Sequence, residues 1–98
     1  MLFVVLGHDG TDSEALARRM AAREEHLQNV QALYDAGIFR YGGALLDAHG
    51  NMNGSMMVLD YPSEAALRAE FLSKEPYVTQ GVWQTIHVHP MRLPTMFS

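Results

Sequence analysis

Apolar residues in this chain gather in short β-prone runs separated by longer stretches of helical spacing. Leu2 to Leu6 is an unbroken apolar run and predicts a first strand. Gly7 to Asp12 reads as a polar loop, and Thr11 with Glu14, or Asp12 and Ser13, supplies capping chemistry for a helix start. Ser13 to Ala36 reads helical and stops at Gly37, a glycine placed to take the left-handed conformation. Ile38 to Leu46 is a second strand carrying Gly42-Gly43, and Asp47 to Gly54 is a hairpin loop. Ser55 to Tyr61 is a third strand, broken by Pro62; Ser63 then caps a second helix from Glu64 to about Ser73. Lys74 to Gly81 is a turn-rich connection, Val82 to His89 a fourth strand stopped by Pro90, and the tail to Ser98 irregular but apolar.

The order β-α-β-β-α-β, with right-handed crossovers and a central hairpin, predicts a ferredoxin-like α+β fold. Four antiparallel strands in spatial order 4-1-3-2 carry both helices on one face. Strands 1 and 3 are apolar throughout, as central strands should be. Strands 2 and 4 carry Arg40, glycines, Gln84, His87 and His89, as edges tolerate. Yet both phases of the central strands are apolar, Leu2, Val4 and Leu6 against Phe3 and Val5, where a sheet with one wet face should alternate. The simplest cover for the second face is another copy, sheet against sheet, in a two-fold dimer.

The first helix raises a length problem. Twenty-four residues from Ser13 to Ala36 would run about 35 Å, against a strand of about 20 Å. The mismatch predicts a break near Met20 to Ala22 and a main helix from about Ala22. That puts His26 near the helix start, on the edge of a core stripe of Leu27, Val30, Leu33 and Tyr34. Strand order then brings His8, Asp9, Ser55, the Glu75-Pro76-Tyr77 turn and His26 to one edge of the sheet. A carboxylate from Asp9 would fix the tautomer of His26, and Arg19 or Arg23 would oppose that pairing or receive an anion. A His-Asp pair suits general acid/base catalysis. His87 and His89 share a strand face at a spacing metal pairs use. With no third ligand near in sequence they read as edge or dimer contacts, and neither a metal nor a cofactor is expected.

Composition narrows the partners. Ninety-eight residues suffice for one domain spanning 1–98, and a net charge of −4 without a basic run argues against nucleic acid. The absence of cysteine removes thiol chemistry. The first apolar run is too short for a membrane span and lacks the basic lead of a signal peptide, so a cytoplasmic protein without membrane contact is expected.

Asp9 after an apolar strand, Arg23-x-x-His26-Leu27, Gly42-Gly43, Gly54-Ser55 and Glu75-Pro76-Tyr77-Val78-x-x-Gly81-Val82 together resemble the YCII (YciI-like) family, from strand 1 through Pro90. The resemblance implies a ferredoxin-like fold that dimerises sheet to sheet. It also implies a site centred on a histidine and an aspartate, here His26 and Asp9. Ser55 and the turn before strand 4 would line the pocket, with Glu75, Tyr77, Arg23 and Gly43 as substrate-binding residues. The family usually writes Asp-Pro in that turn; Glu75 moves the carboxylate outward by about a bond length. One branch resembles a dehydrochlorinase of chlorinated hydroxyquinols, and the fold is shared with muconolactone isomerases and small cofactor-free monooxygenases. Two functions stay open at this stage. One is a cofactor-independent, lyase- or isomerase-like enzyme acting on a small cyclic or aromatic substrate. The other is a non-catalytic small-ligand or interaction module.

Overall fold

The computed structural model describes residues 1–97; Ser98, the end of the expected irregular tail, lies outside them. Strand β1 (Leu2–Asp9) leads into helix α1 (Ala15–Asp35), followed by the hairpin β2 (Phe39–Leu46) and β3 (Met52–Asp60). A short α2 (Glu64–Leu67) widens into a π-helical stretch over Arg68–Leu72; α3 (Pro76–Thr79), β4 (Trp83–Met91) and a 3₁₀ turn at Thr95–Phe97 complete the order. The sheet order is β2-β3-β1-β4 with every neighbouring pair antiparallel. This is the expected ferredoxin-like α+β arrangement.

Helix α1 is one unbroken helix, not two. The strands are longer than their apolar runs, because β1 continues through Gly7, His8 and Asp9 and β4 continues through Pro90 to Met91. Eight or nine residues span roughly 27–30 Å, which matches about 32 Å for the 21 residues of α1. Pro90 is tolerated because β4 is an edge strand, where a missing N–H deprives no neighbour. His26 therefore sits mid-helix. Gly37 ends α1 as expected, at φ +78°, with Gly37 N–H donating to Tyr34 O at 3.0 Å and Ile38 N–H to Leu33 O at 2.8 Å.

The inward stripe of α1 also differs from the apolar reading. Ala15, Arg19, Ala22 and His26 are its buried residues, spaced four, three and four apart along one helix face. Val30 and Leu33 pack against the core as expected, but Leu27 and Tyr34 are 43% and 61% exposed. Two small alanines let the helix approach the sheet, and two polar side chains enter the interior because partners wait there.

The core lies between the helices and one sheet face. Phe3, Val5, Met57 and Leu59 supply it from the central strands, and Leu67, Phe71, Leu72 and Tyr77 from the segment after β3. The wide turn, closed by Ser73 N–H on Arg68 O at 3.2 Å, accompanies burial of both Phe71 and its neighbour Leu72. The other face presents Leu2, Val4, Leu6, Met56 and Val58, all half-buried and outside the core cluster.

Candidate functional site

The site is built where α1, the N-terminus of α3 and the ends of β1, β3 and β4 meet. Glu75 organises it. Its side chain caps α3 by accepting from Tyr77 N–H at 3.2 Å, and Pro76 at the first helical position gives up no hydrogen bond there. Gly81, at φ +70°, lets the chain leave α3 and enter β4. Glu75 is 0% exposed. One oxygen contacts Nδ1 of His26 and the other accepts from Asn29 Nδ2 at 2.7 Å.

The imidazole of His26 is stacked on Tyr77, centroids 3.9 Å apart and planes 10° off parallel. Trp83 meets both rings edge-on, at 6.3 Å and 5.7 Å. Arg19 lies over the same tyrosine, 4.6 Å from its centroid. Burial pushes the Tyr77 hydroxyl above its ordinary pKa, opposed by Arg19 and Arg23.

Arg19 is also the hub of a second buried pair. Its Nη1 donates to both oxygens of Asp9 at 3.0 and 3.2 Å, and its Nη2 donates to Ser55 Oγ at 3.0 Å. The same oxygen accepts from Trp83 Nε1 at 3.3 Å. Burial raises the Asp9 pKa, and the Arg19 charge and hydrogen bonds pull against that rise. Gly7 makes room for this arrangement, since a Cβ there would fall 2.3 Å from the Trp83 ring.

The expected contact between Asp9 and His26 is thus not formed. Asp9 is taken by a guanidinium, and the carboxylate at the histidine is Glu75, whose extra methylene fits because it reaches from a helix cap. Glu75 is likewise not a wall residue: it stands fully buried behind His26. Arg19, Arg23, His26, Ser55, Tyr77 and Gly43 do share the wall of one cavity of about 310 Å³, closed by Gly42, Phe39, Val30, Met52 and Met57 among others. Arg23 is exposed at its rim. Asn29 and Trp83 escaped the sequence reading altogether, and Arg19 entered it only as an alternative to Arg23. The signal for Arg19 and Asn29 was their spacing from His26, seven residues before and three after, which puts all three on the inward side of α1.

Among the described residues, no group of three or more His, Cys, Asp and Glu side chains is arranged to hold a metal ion. None of the described helices is long and apolar enough to cross a membrane.

The YCII-related domain pattern matches residues 1–92. The chain belongs to the YCII family. Its similarity to Protein YciI of Escherichia coli O6:H1 is 30% identity over 98 residues, covering 94% of this chain and 97% of the relative. Protein YciI of Shigella flexneri gives the same identity and coverage. Among solved structures, the YCII chain shares its fold with 5-chloro-2-hydroxyhydroquinone dehydrochlorinase (TftG) from Burkholderia phenoliruptrix AC1100 in complex with 2,5-dihydroxybenzoquinone. The TM-score is 0.85 with 98% of each chain covered, at 22% identity.

Proposed function

We propose that this protein is a cofactor-independent acid/base enzyme acting on a small cyclic or aromatic substrate, with His26 moving the proton and Glu75 holding His26. The observation that carries this reading is an imidazole in the wall of a cavity of about 310 Å³, room enough for a small cyclic molecule, backed by a wholly buried carboxylate. Glu75 accepts from Asn29 and Tyr77 N–H as well, so the proton between it and His26 belongs on Nδ1. Nε2 then carries the lone pair that meets a ligand. Ser55 Oγ already accepts two hydrogen bonds, which leaves its own proton to give to a substrate oxygen. Arg23, exposed at the rim and in no ion pair among the described residues, favours a substrate that carries or develops negative charge, such as a phenolate.

In this scheme His26 Nε2 removes a proton from the ring substrate. The electron pair released forms the new double bond. In an elimination the leaving group departs with its own pair as an anion and the imidazolium then gives its proton to water; in an isomerisation the imidazolium returns the proton at another carbon. Glu75 stabilises the imidazolium between the two events, in place of the expected Asp9. Asp9 serves instead as a positioning residue, fixing Arg19 against Tyr77 and Ser55. The dehydrochlorinase with this fold, in complex with a dihydroxybenzoquinone, supports a hydroxylated ring as the substrate class.

His26→Asn should lower turnover of a hydroxylated or chlorinated ring substrate by 10²–10⁴-fold or thereabouts, with circular dichroism unchanged. Undiminished turnover in the folded variant would remove His26 from the chemistry. Ligand binding without turnover in either protein would mark a binding module.

We also propose that the protein pairs with itself through the open sheet face. Four strands about 4.8 Å apart and about 25 Å long offer roughly 500 Å² of flat area per copy. With side-chain relief, two such faces remove on the order of 1,200 Å² from water, the size a specific interface needs. The cavity lies on the helix side and stays accessible in such a pair.

A further inference from the structure

Three imidazoles stand in a row on the open face of the sheet. His8 ends β1 on that face, and His87 and His89 lie opposite Leu6 and Val4 in the β1–β4 register, pointing away from the helices. Ring centroids are 6.2 Å apart for His8 and His87 and 6.3 Å for His87 and His89. All three are exposed, and none makes a hydrogen bond or ion pair among the described residues. They flank the apolar strip of Leu2, Val4, Leu6, Met56 and Val58. His87 and His89 are stacked only 13° off parallel, so their nitrogens do not converge as metal ligands would.

The charges around this row are few and already engaged. On β3 the only ionisable group of this face is Asp60, at the Leu2 end, where it binds the N-terminal amine at 2.8 Å and Arg40 at 2.7 Å. On β2 the face carries Tyr41, and Arg92 follows β4. Asp9 is next to His8 in sequence but points to the helix face and is held by Arg19. The helices lie on the far side. Asp12 and Arg18 border the same cavity as His8 and are paired with each other at 2.8 Å, so both carboxylates beside His8, Asp9 and Asp12, are already held by an arginine.

We propose that self-association through this face is gated by acid: two copies pair while His8, His87 and His89 are neutral, and protonation of the row drives them apart. The proposal rests on the sheet-to-sheet pairing above. Burying an unpaired imidazolium against an apolar strip is costly, and two-fold symmetry counts every such charge twice. Imidazoles ordinarily titrate near pH 6.5. If one histidine per copy must stay neutral, proton linkage weakens the pair roughly 100-fold between pH 7.5 and pH 5.5. If more of the row must stay neutral, the loss is larger.

Sedimentation equilibrium over a dilution series at pH 7.5 and 5.5, with circular dichroism to confirm folding, tests this. Expected is a dimer at pH 7.5 whose Kd rises about 100-fold or more at pH 5.5. The His8→Gln/His87→Gln/His89→Gln variant should pair with one Kd at both. A wild-type Kd that does not move with pH, or a pH dependence kept by the triple variant, would overturn the acid gate and leave the pairing intact. A monomer at pH 7.5 would overturn the pairing itself and the gate with it.

Discussion

Glu75 accepts from three donors at once, His26 Nδ1, Asn29 Nδ2 and Tyr77 N–H, so each of its oxygens faces a hydrogen. Glu75→Gln gives up one of those acceptors and turns an N–H toward a donor. Turnover should fall about 100-fold or more in a protein that still folds, because His26 loses the partner that fixes its tautomer. A steady-state comparison with wild type checks this. Asp9 answers to a different need. Asp9→Asn leaves the Arg19 guanidinium, 2% exposed, without its counter-charge, and the cost should be on the order of 3 kcal/mol in chemical denaturation. A loss below about 0.5 kcal/mol would contradict the pairing. Titration follows the same residues. The pKa of Asp12 is lowered to about 2, first by its hydrogen bond with Arg18, and that of Asp60 is lowered, first by its hydrogen bond with the N-terminal amine. Both groups add stability that is present above the ordinary carboxyl range and lost as pH falls through the folded value. Asp9, raised by burial, runs the other way and relieves a cost on acidification. Thermal unfolding should therefore lose stability between about pH 4 and pH 2, and Asp12→Asn should flatten that fall.

At the scale of elements, the glycines divide by what they touch. Gly7→Ala would drive a Cβ to 2.3 Å from Trp83, and since that indole also holds Ser55, overpacking should cost about 1–3 kcal/mol. At Gly43 a Cβ meets nothing within 4 Å, so Gly43→Ala should leave stability within about 0.5 kcal/mol. Paired denaturant titrations decide both. The strands and their order were readable because Leu2–Leu6 and Met56–Leu59 have no polar alternative to a buried central position. The unbroken α1 was not readable, because β1 runs on through Gly7, His8 and Asp9, whose side chains carry no apolar signal. Its inward face was hidden for a related reason. Arg19 and His26 are buried because Asp9, Ser55 and Glu75 receive them, and those partners come from 10 to 49 residues away. Helical periodicity alone pointed to Leu27 and Tyr34 instead. The residues of the candidate site were largely legible from topology and family resemblance; their pairing was not, since α1 begins at Ala15, about two turns before the expected Ala22, and that shift reassigns the carboxylate.

For the whole molecule, the two faces of one sheet differ in what they carry. The helix face holds the core and the cavity, and the open face carries an apolar strip edged by histidines. His8 and Asp9 show the division at its sharpest, as consecutive residues of β1 turned to opposite sides. This arrangement lets ligand binding be read apart from self-association, because His26 is the only one of the five histidines in the cavity wall. The most direct measurement is an imidazole nitrogen–proton correlation spectrum recorded at pH 7.5 during titration with 2,5-dihydroxybenzoquinone. Expected are saturable shifts of the His26 resonances, with those of His8, His87 and His89 unmoved. A titration that shifts the open-face histidines while His26 stays silent would contradict the assignment of this cavity as the site.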